Sequence, residues 1–233
     1  ELGVLKSRFV SMASHEFRTP LSTILSSVTL IDRYEDEIYV GKRKKHISRI
    51  KASVRNLTSI LNDFLSLGKL EEGRVELRPR LFNLKAFLND MHEEMQALTK
   101  KGQQVVFKYE GPGNDVVMDD HLLKNVLHNL LSNAMKYSEE DTQIDFHTQL
   151  NGDQLDIMIR DRGMGIPEEE QHHLFGRFFR AHNVTNIQGT GLGLSIVKEY
   201  LELMKGNITF ESKVGEGTTF NLSVPRLPLT NIL

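Results

Sequence analysis

The chain has 233 residues with 29 Lys+Arg against 31 Asp+Glu, a formal net charge of −2, and 39% hydrophobic and 26% charged residues. That is neither a disordered nor a fibrous composition, and with a pI of about 6.6 it lacks the basic surplus of a nucleic-acid binder. The absence of cysteine excludes disulfide frameworks, thiolate metal sites and thiol nucleophiles.

No apolar run approaches the roughly 18 residues of a membrane span, and the opening Glu1-Leu2-Gly3-Val4-Leu5-Lys6 is not a signal peptide. A start without methionine points to a fragment, for which no membrane contact and no nucleic-acid partner is expected. Residues 1 to about 70 read as helix, with no glycine between Gly3 and Gly41 and one proline, Pro20. Leu21, Ile24, Leu25, Val28 and Ile31 form one apolar stripe. Ile47, Ile50, Val54, Leu57, Leu61 and Phe64 form a second, at alternating steps of three and four, the spacing of a bundle seam. The polar stretch Tyr34-Glu35-Asp36-Glu37 through Gly41-Lys42 is expected to turn the chain into an antiparallel hairpin, and Gly68 and Gly73 to end its second helix. Two helices cannot enclose a core alone, so the hairpin is expected to pair with a copy of itself in a four-helix bundle, making the chain a homodimer.

After about residue 80 the pattern becomes mixed. Residues 84–98 read as helix, 104–109 as strand, and Asp119 or Asp120 is a plausible N-cap for a helix running to Met135 or Lys136. Asn151-Gly152 lies between two β-rich runs at 144–146 and 155–159 and predicts a hairpin. A helix over 192–204 and a second hairpin over 208–224, turning at Gly215 to Gly217, complete a layered domain of about 145 residues, which is large enough for its own core.

Chemistry concentrates in four places. In Ser14-His15-Glu16-Phe17-Arg18-Thr19-Pro20, His15 and Thr19 lie four apart on one helix face, and Pro20 should bend the helix beside them. A neutral imidazole is a nucleophile near pH 7 and Glu16 can take its proton; a solvated helix face with an incidental histidine fits the same residues. In 129–138, Asn129 and Asn133 share a face and Lys136 follows, so hard amide oxygens suited to Mg²⁺ converge with a cation suited to phosphate, although capping asparagines read the same way. Asp161-Arg162-Gly163-Met164-Gly165-Ile166-Pro167 follows a predicted strand, giving a fixed acceptor beside glycines that let the backbone pass close to a flat ligand, or simply a capped turn. Gln188-Gly189-Thr190-Gly191-Leu192-Gly193-Leu194 leads into a helix whose free N–H groups attract phosphate; alone it is a weak signal.

In this order the four clusters closely resemble a sensor histidine kinase of two-component signalling. The resemblance implies a multidomain protein: residues 1–75 as the dimerisation and histidine-phosphotransfer hairpin of a dimeric four-helix bundle, 80–226 as an α/β sandwich of the Bergerat ATP-binding type, and 227–233 as a tail. It implies ATP-dependent autophosphorylation of His15 with Glu16 as general base, transfer to an aspartate of a response-regulator receiver domain, and a role for Thr19 in dephosphorylating that regulator. Asp161 would accept the adenine amine, with Gly163, Gly165 and Ile166 at the base and Thr218 in support. Asn133 would ligate Mg²⁺, and Asn129, Lys136 and Tyr137 would line the nucleotide. Residues 167–188 would form a lid, and Gly189, Thr190, Gly191, Leu192, Gly193 and Leu194 would meet the phosphates. Leu174-Phe175-Gly176-Arg177-Phe178-Phe179-Arg180 stands where the family has its F box, with Arg177 at a position where proline is frequent. By the same analogy a sensor or membrane module is expected ahead of Glu1, with this piece cytoplasmic. Two alternatives remain at this point: an ATPase of the same superfamily that closes a dimer without phosphohistidine, and a dimeric scaffold that has lost activity.

Overall fold

The computed structural model describes residues 2–33, 39–111, 115–184 and 186–228; the side chains of residues 2–13 and of His15 lie outside that description, as do the expected turn at Tyr34 to Glu37 and the end of the expected tail. The chain divides into two compact units, Glu1–Glu71 with Ile187–Thr190, and Glu72–Asn186 with Gly191–Leu233.

The first unit is a hairpin of α1 (Leu2–Asp32) and α2 (Val40–Glu71). Phe17 packs on Phe64 with ring centroids 6.2 Å apart. α1 runs through Pro20 without a break, so the proline removes one donor without ending the helix. Two boundary expectations are corrected. Gly41 and Gly68 lie inside α2, where a glycine costs about 1 kcal/mol but is tolerated, and it is Gly73, with φ +62°, that follows the helix end. The seam is also shifted: the buried residues of α2 are His46, Ser53, Ile60 and Leu67, each seven apart. Ile47, Val54 and Leu61 point outward at 43%, 49% and 49% exposure, as do Leu21 and Leu25 of α1. Periodicity located the apolar flank but not which side of it the hairpin itself buries.

The second unit opens with a two-stranded antiparallel sheet that the sequence did not signal, β1 (Arg80–Asn83) on β3 (Asp115–Met118). Between them lie α3 (Leu84–Gln96), capped by the Asn83 side chain accepting from Ala86 N–H at 2.8 Å, and β2 (Gln104–Glu110). Next come α4 (Asp120–Tyr137), whose N-cap is Asp119, then β4 (Gln143–Asn151), β5 (Gln154–Arg160), α5 (Gly193–Leu203), β6 (Asn207–Lys213) and β7 (Gly217–Pro225). The main sheet has the order β2-β4-β5-β7-β6, with β2 parallel to β4 and the remaining pairs antiparallel. Asn151 pairs with Gln154, so the expected hairpin turns on Gly152-Asp153.

Alternation decides which face is buried. Ile144, Phe146, Ile157, Ile159, Leu222 and Val224 are essentially inaccessible, as are Leu88, Leu127, Leu130, Leu131, Val197 and Leu201 of the helices. Each such side chain contributes about 1.5–3 kcal/mol relative to exposure, so one apolar layer between sheet and helices holds the unit together. The other sheet face carries Lys108, His147, Asp156, Asn221 and Ser223 around an open groove. None of the expected site residues lines it.

Candidate nucleotide and phosphotransfer site

Asp161 directly follows β5, and its backbone extends the ladder, donating from N–H to the Thr218 carbonyl at 2.9 Å. Its Oδ1 accepts from Gly163 N–H at 2.8 Å and from Thr218 N–H at 3.2 Å. The carboxyl is buried, and burial raises its pKa against the pull of those two backbone bonds. A carboxylate so fixed is an oriented acceptor with little water to compete for it.

The loop after Asp161 is pressed against its neighbours by positions where no side chain fits. A Cβ on Gly163 would lie 2.5 Å from the Tyr137 carbonyl oxygen, and one on Gly165, at φ +66°, would lie 2.0 Å from that of Lys213. The close approach that the fold itself imposes at Gly165 is to the β6–β7 turn. Met164 N–H donates to the Tyr137 carbonyl at 3.3 Å and Gly215 N–H to the Met164 carbonyl at 2.9 Å, closing the same contact from both sides. Ser212 completes the bracket: its hydroxyl accepts from Ile166 N–H at 2.9 Å and shares a 2.8 Å hydrogen bond with the Thr218 hydroxyl. Ser212 had no signal in sequence because it sits 51 residues beyond Asp161, in a strand with no motif of its own.

On α4, Asn129 and Asn133 fall on one half-buried face, as their spacing requires. The Asn129 amide donates to the Asn125 carbonyl at 3.0 Å and leaves its oxygen facing the start of α5, where a Cβ on Gly193 would lie 2.9 Å from it. Lys136 Nζ lies 5.0 Å from the centroid of the Tyr137 ring. Burial raises the Tyr137 pKa, with Arg180 acting in the opposite direction, which puts Arg180 near the tyrosine.

α5 begins with no side-chain cap. Gly191, at φ +68°, is packed against the backbone of Phe178 and Phe179, and Phe178 itself adopts φ 62°, so the expected lid and the glycine-rich turn meet backbone to backbone. Leu192 is fully buried and serves the core; Leu194 and Gly193 lie in the first turn. Gly189 and Thr190 group with the helical unit, where the Thr190 hydroxyl donates to Asp63 Oδ2 at 2.8 Å. The segment expected as a lid is short 3₁₀ turns, Glu168–His173 and His182–Val184, with Leu174 and Ala181 buried. Gln171 anchors it by donating to the carbonyls of Ile166 and Ser212, both at 3.0 Å, and Arg177 reaches Glu199 of α5 at 3.3 Å.

In the hairpin, His15 lies in α1 followed by Glu16, which is buried at 6% exposure, and by the exposed Thr19 one turn on. Among the described residues no helix is long and apolar enough to cross a membrane.

Residues 118–228 match the family described as histidine kinase-, DNA gyrase B-, and HSP90-like ATPase, and residues 5–73 match the His Kinase A (phospho-acceptor) domain. The chain is 32% identical over 229 residues to the circadian input-output histidine kinase CikA of Synechococcus elongatus, covering 96% of this chain and 30% of that protein. It is 32% identical over 228 residues to the sensor histidine kinase RcsC of Escherichia coli, covering 94% and 23%. It therefore spans less than a third of the length of these relatives. Among solved structures, the Acinetobacter baumannii histidine kinase AdeS shares the fold at TM-score 0.63 and 23% identity, over 92% of this chain and 98% of that one. The histidine kinase ThkA in complex with response regulator protein TrrA does so at 0.65 and 22%, over 97% and 62%.

Proposed function

The chain belongs to the sensor histidine kinases, with a phospho-acceptor hairpin followed by an ATPase unit, and on that premise we propose that it moves the γ-phosphoryl group of ATP to His15 and then to an aspartate of a response-regulator receiver domain. The observation that carries this reading is the buried Asp161 carboxylate, held by two backbone N–H groups so that its remaining acceptor capacity is available to an adenine amine. The uncapped start of α5, with Gly191 and Gly193, supports a phosphate position at the other end of the site.

Phosphoryl transfer is mostly positioning and charge neutralisation. A ring nitrogen of His15 attacks the γ-phosphorus; the N–P bond forms as the bond from that phosphorus to the ADP oxygen breaks, and Glu16 takes the ring proton. The phosphoramidate is labile to acid. In a second step the receiver carboxylate attacks the same phosphorus, and histidine regains its proton as it leaves. Incubation with labelled ATP and Mg²⁺ tests this: the protein's label is expected to survive base and be lost in acid. Steady phosphate release with no labelled protein at any time point would instead leave only the superfamily ATPase.

Asn133 is assigned to Mg²⁺. On the half-buried face of α4 it would offer a hard amide oxygen and leave the other positions to phosphate and water, the usual arrangement for this ion. Bound there, Mg²⁺ neutralises phosphate charge. Asn133→Ala is expected to weaken nucleotide binding roughly tenfold in the presence of Mg²⁺ and to have little effect in chelator; equal losses in both would remove the metal role.

The outward stripe of Leu21, Leu25, Ile47, Val54 and Leu61 supports a homodimer, because a second copy would cover it in a four-helix arrangement. Thr19, exposed one helical turn from His15, is assigned to orienting a water during dephosphorylation of the regulator. Thr19→Ala should slow that reaction several-fold with phosphorylation of His15 intact; an unaltered rate removes the assignment.

A further inference from the structure

After α2 the chain runs through residues 72–79 without regular structure before entering β1. Its far end is tied down. Arg78 N–H donates to Asp119 Oδ2 at 2.7 Å while Asp119 Oδ1 accepts from Leu122 N–H at 2.9 Å, so one carboxylate holds both the linker and the first turn of α4. Two residues on, Arg80 donates from Nε to Asp120 Oδ1 at 2.5 Å, and its Nη2 closes the fork on Oδ2. The Asp120 side chain is 9% exposed. Burial pushes its carboxyl upward, but the guanidinium outweighs that and leaves the pKa lowered, so the pair is charged at neutral pH. β1 is then stitched to β3 with Arg80 opposite Met118, and β3 is bonded on its other side by Leu227 N–H to the Val117 carbonyl at 2.9 Å. The linker thus joins the ATPase unit at the N-terminus of the same helix that carries Asn129 and Asn133.

We propose that Arg80 is a positioning residue for phosphoryl transfer, its clasp on Asp120 fixing the linker to α4 and confining interdomain motion to residues 72–77. The inference rests on the kinase reading above. Transfer from the ATPase unit to a phospho-acceptor hairpin requires the reacting atoms to meet within about 3–3.5 Å and in line, and a displacement of about 1 Å can cost a hundredfold. A fixed anchor on the nucleotide-bearing helix narrows the orientations sampled; a loose one spreads them while leaving the adenine and phosphate ends of the site as they are. Exposed ion pairs generally contribute little. This one is bidentate, has a buried partner, and sits where a rotation is transmitted to the whole unit.

The test uses the full chain and three variants, Arg80→Gln, Asp120→Asn and the double variant, with two readouts: affinity for a fluorescent ATP analogue, and the rate of acid-labile phosphate incorporation as a function of ATP. Arg80→Gln and Asp120→Asn are each expected to lower kcat roughly tenfold with analogue Kd and KM within about twofold, and the double variant to lose no more than either single one. Arg80→Lys, which keeps charge without the fork, should recover part of the loss. Unchanged kcat in both single variants overturns the proposal. So does a parallel loss of Kd and kcat, which would make the pair a support of the nucleotide site, and so do additive losses in the double variant. If the unmutated chain binds the analogue but takes up no label, the kinase reading has failed first, and the proposal goes with it.

Discussion

Replacing His15 with glutamine is expected to abolish acid-labile phosphate on the protein and to leave nucleotide affinity at its unmutated value. Glutamine keeps the helix propensity and most of the volume of the position but has no ring nitrogen that can attack phosphorus at neutral pH, so the loss is in chemistry and not in folding. The groups assigned to the nucleotide, by contrast, belong to elements after α3, and the Asp161 loop is held from within that unit: Asp161 by Gly163 and Thr218, and Ile166 by Ser212. Label incorporation should drop by the full range of the assay while a fluorescent nucleotide titrates as before. Residual acid-labile phosphate in His15→Gln would mean that a different imidazole is the acceptor.

Asp161→Asn is expected to cost roughly a hundredfold in nucleotide affinity without destabilising the unit. The asparagine oxygen can keep both backbone bonds, so the loop holds its shape, but an NH₂ group replaces the second oxygen and turns an acceptor into a donor aimed at an adenine donor. Losing a charge-assisted bond and leaving buried donors facing each other costs about 3 kcal/mol together, and about 1.4 kcal/mol is a factor of ten. Stability moves the other way. Because burial raises the Asp161 pKa above its unfolded value, the folded state binds that proton more readily. The associated stability is fully present below the ordinary carboxylate pKa and is lost as pH rises through the raised one. At neutral pH the ionised group is thus a cost that asparagine removes, and the melting temperature of the nucleotide-free variant should equal or exceed that of the parent. The same raised pKa makes affinity of the parent weaken as pH falls through it, a slope absent from the variant. An Asn variant that binds nucleotide as the parent does would show that the base is held elsewhere.

Much of the local structure around this site could be read in advance, and the reason is locality. Asp119 as an N-cap, Gly152 in a hairpin and the Asn129–Asn133 face each rest on interactions within four residues, which composition and spacing encode directly. What escaped is non-local. β1 and β3 are four residues each, too short to alternate visibly, and pair across 31 intervening residues or more. Ser212 brackets the Asp161 loop from a distant strand. Gly165 was singled out for a ligand-facing reason, and the constraint that the fold itself sets on it, the Lys213 carbonyl, comes from a segment 48 residues away. The residues that the hairpin itself buries, His46, Ser53, Ile60 and Leu67, lie one position from the apolar stripe, because a stripe that can serve two partners, the other helix and a second copy, has no residue-type signature for which partner it meets.

The near-contact between Gly193 and the Asn129 amide joins the beginning of α5 to the amide face of α4 with no side chain between them to yield. On the assignment proposed above, a shift at one would be felt at the other. By reciprocity, whatever factor a cation at Asn133 would add to the grip on phosphate at the α5 amides, phosphate would return to the cation. The polyphosphate end of the site should respond as a unit to triphosphate against diphosphate, and so sense whether the terminal group has been given away.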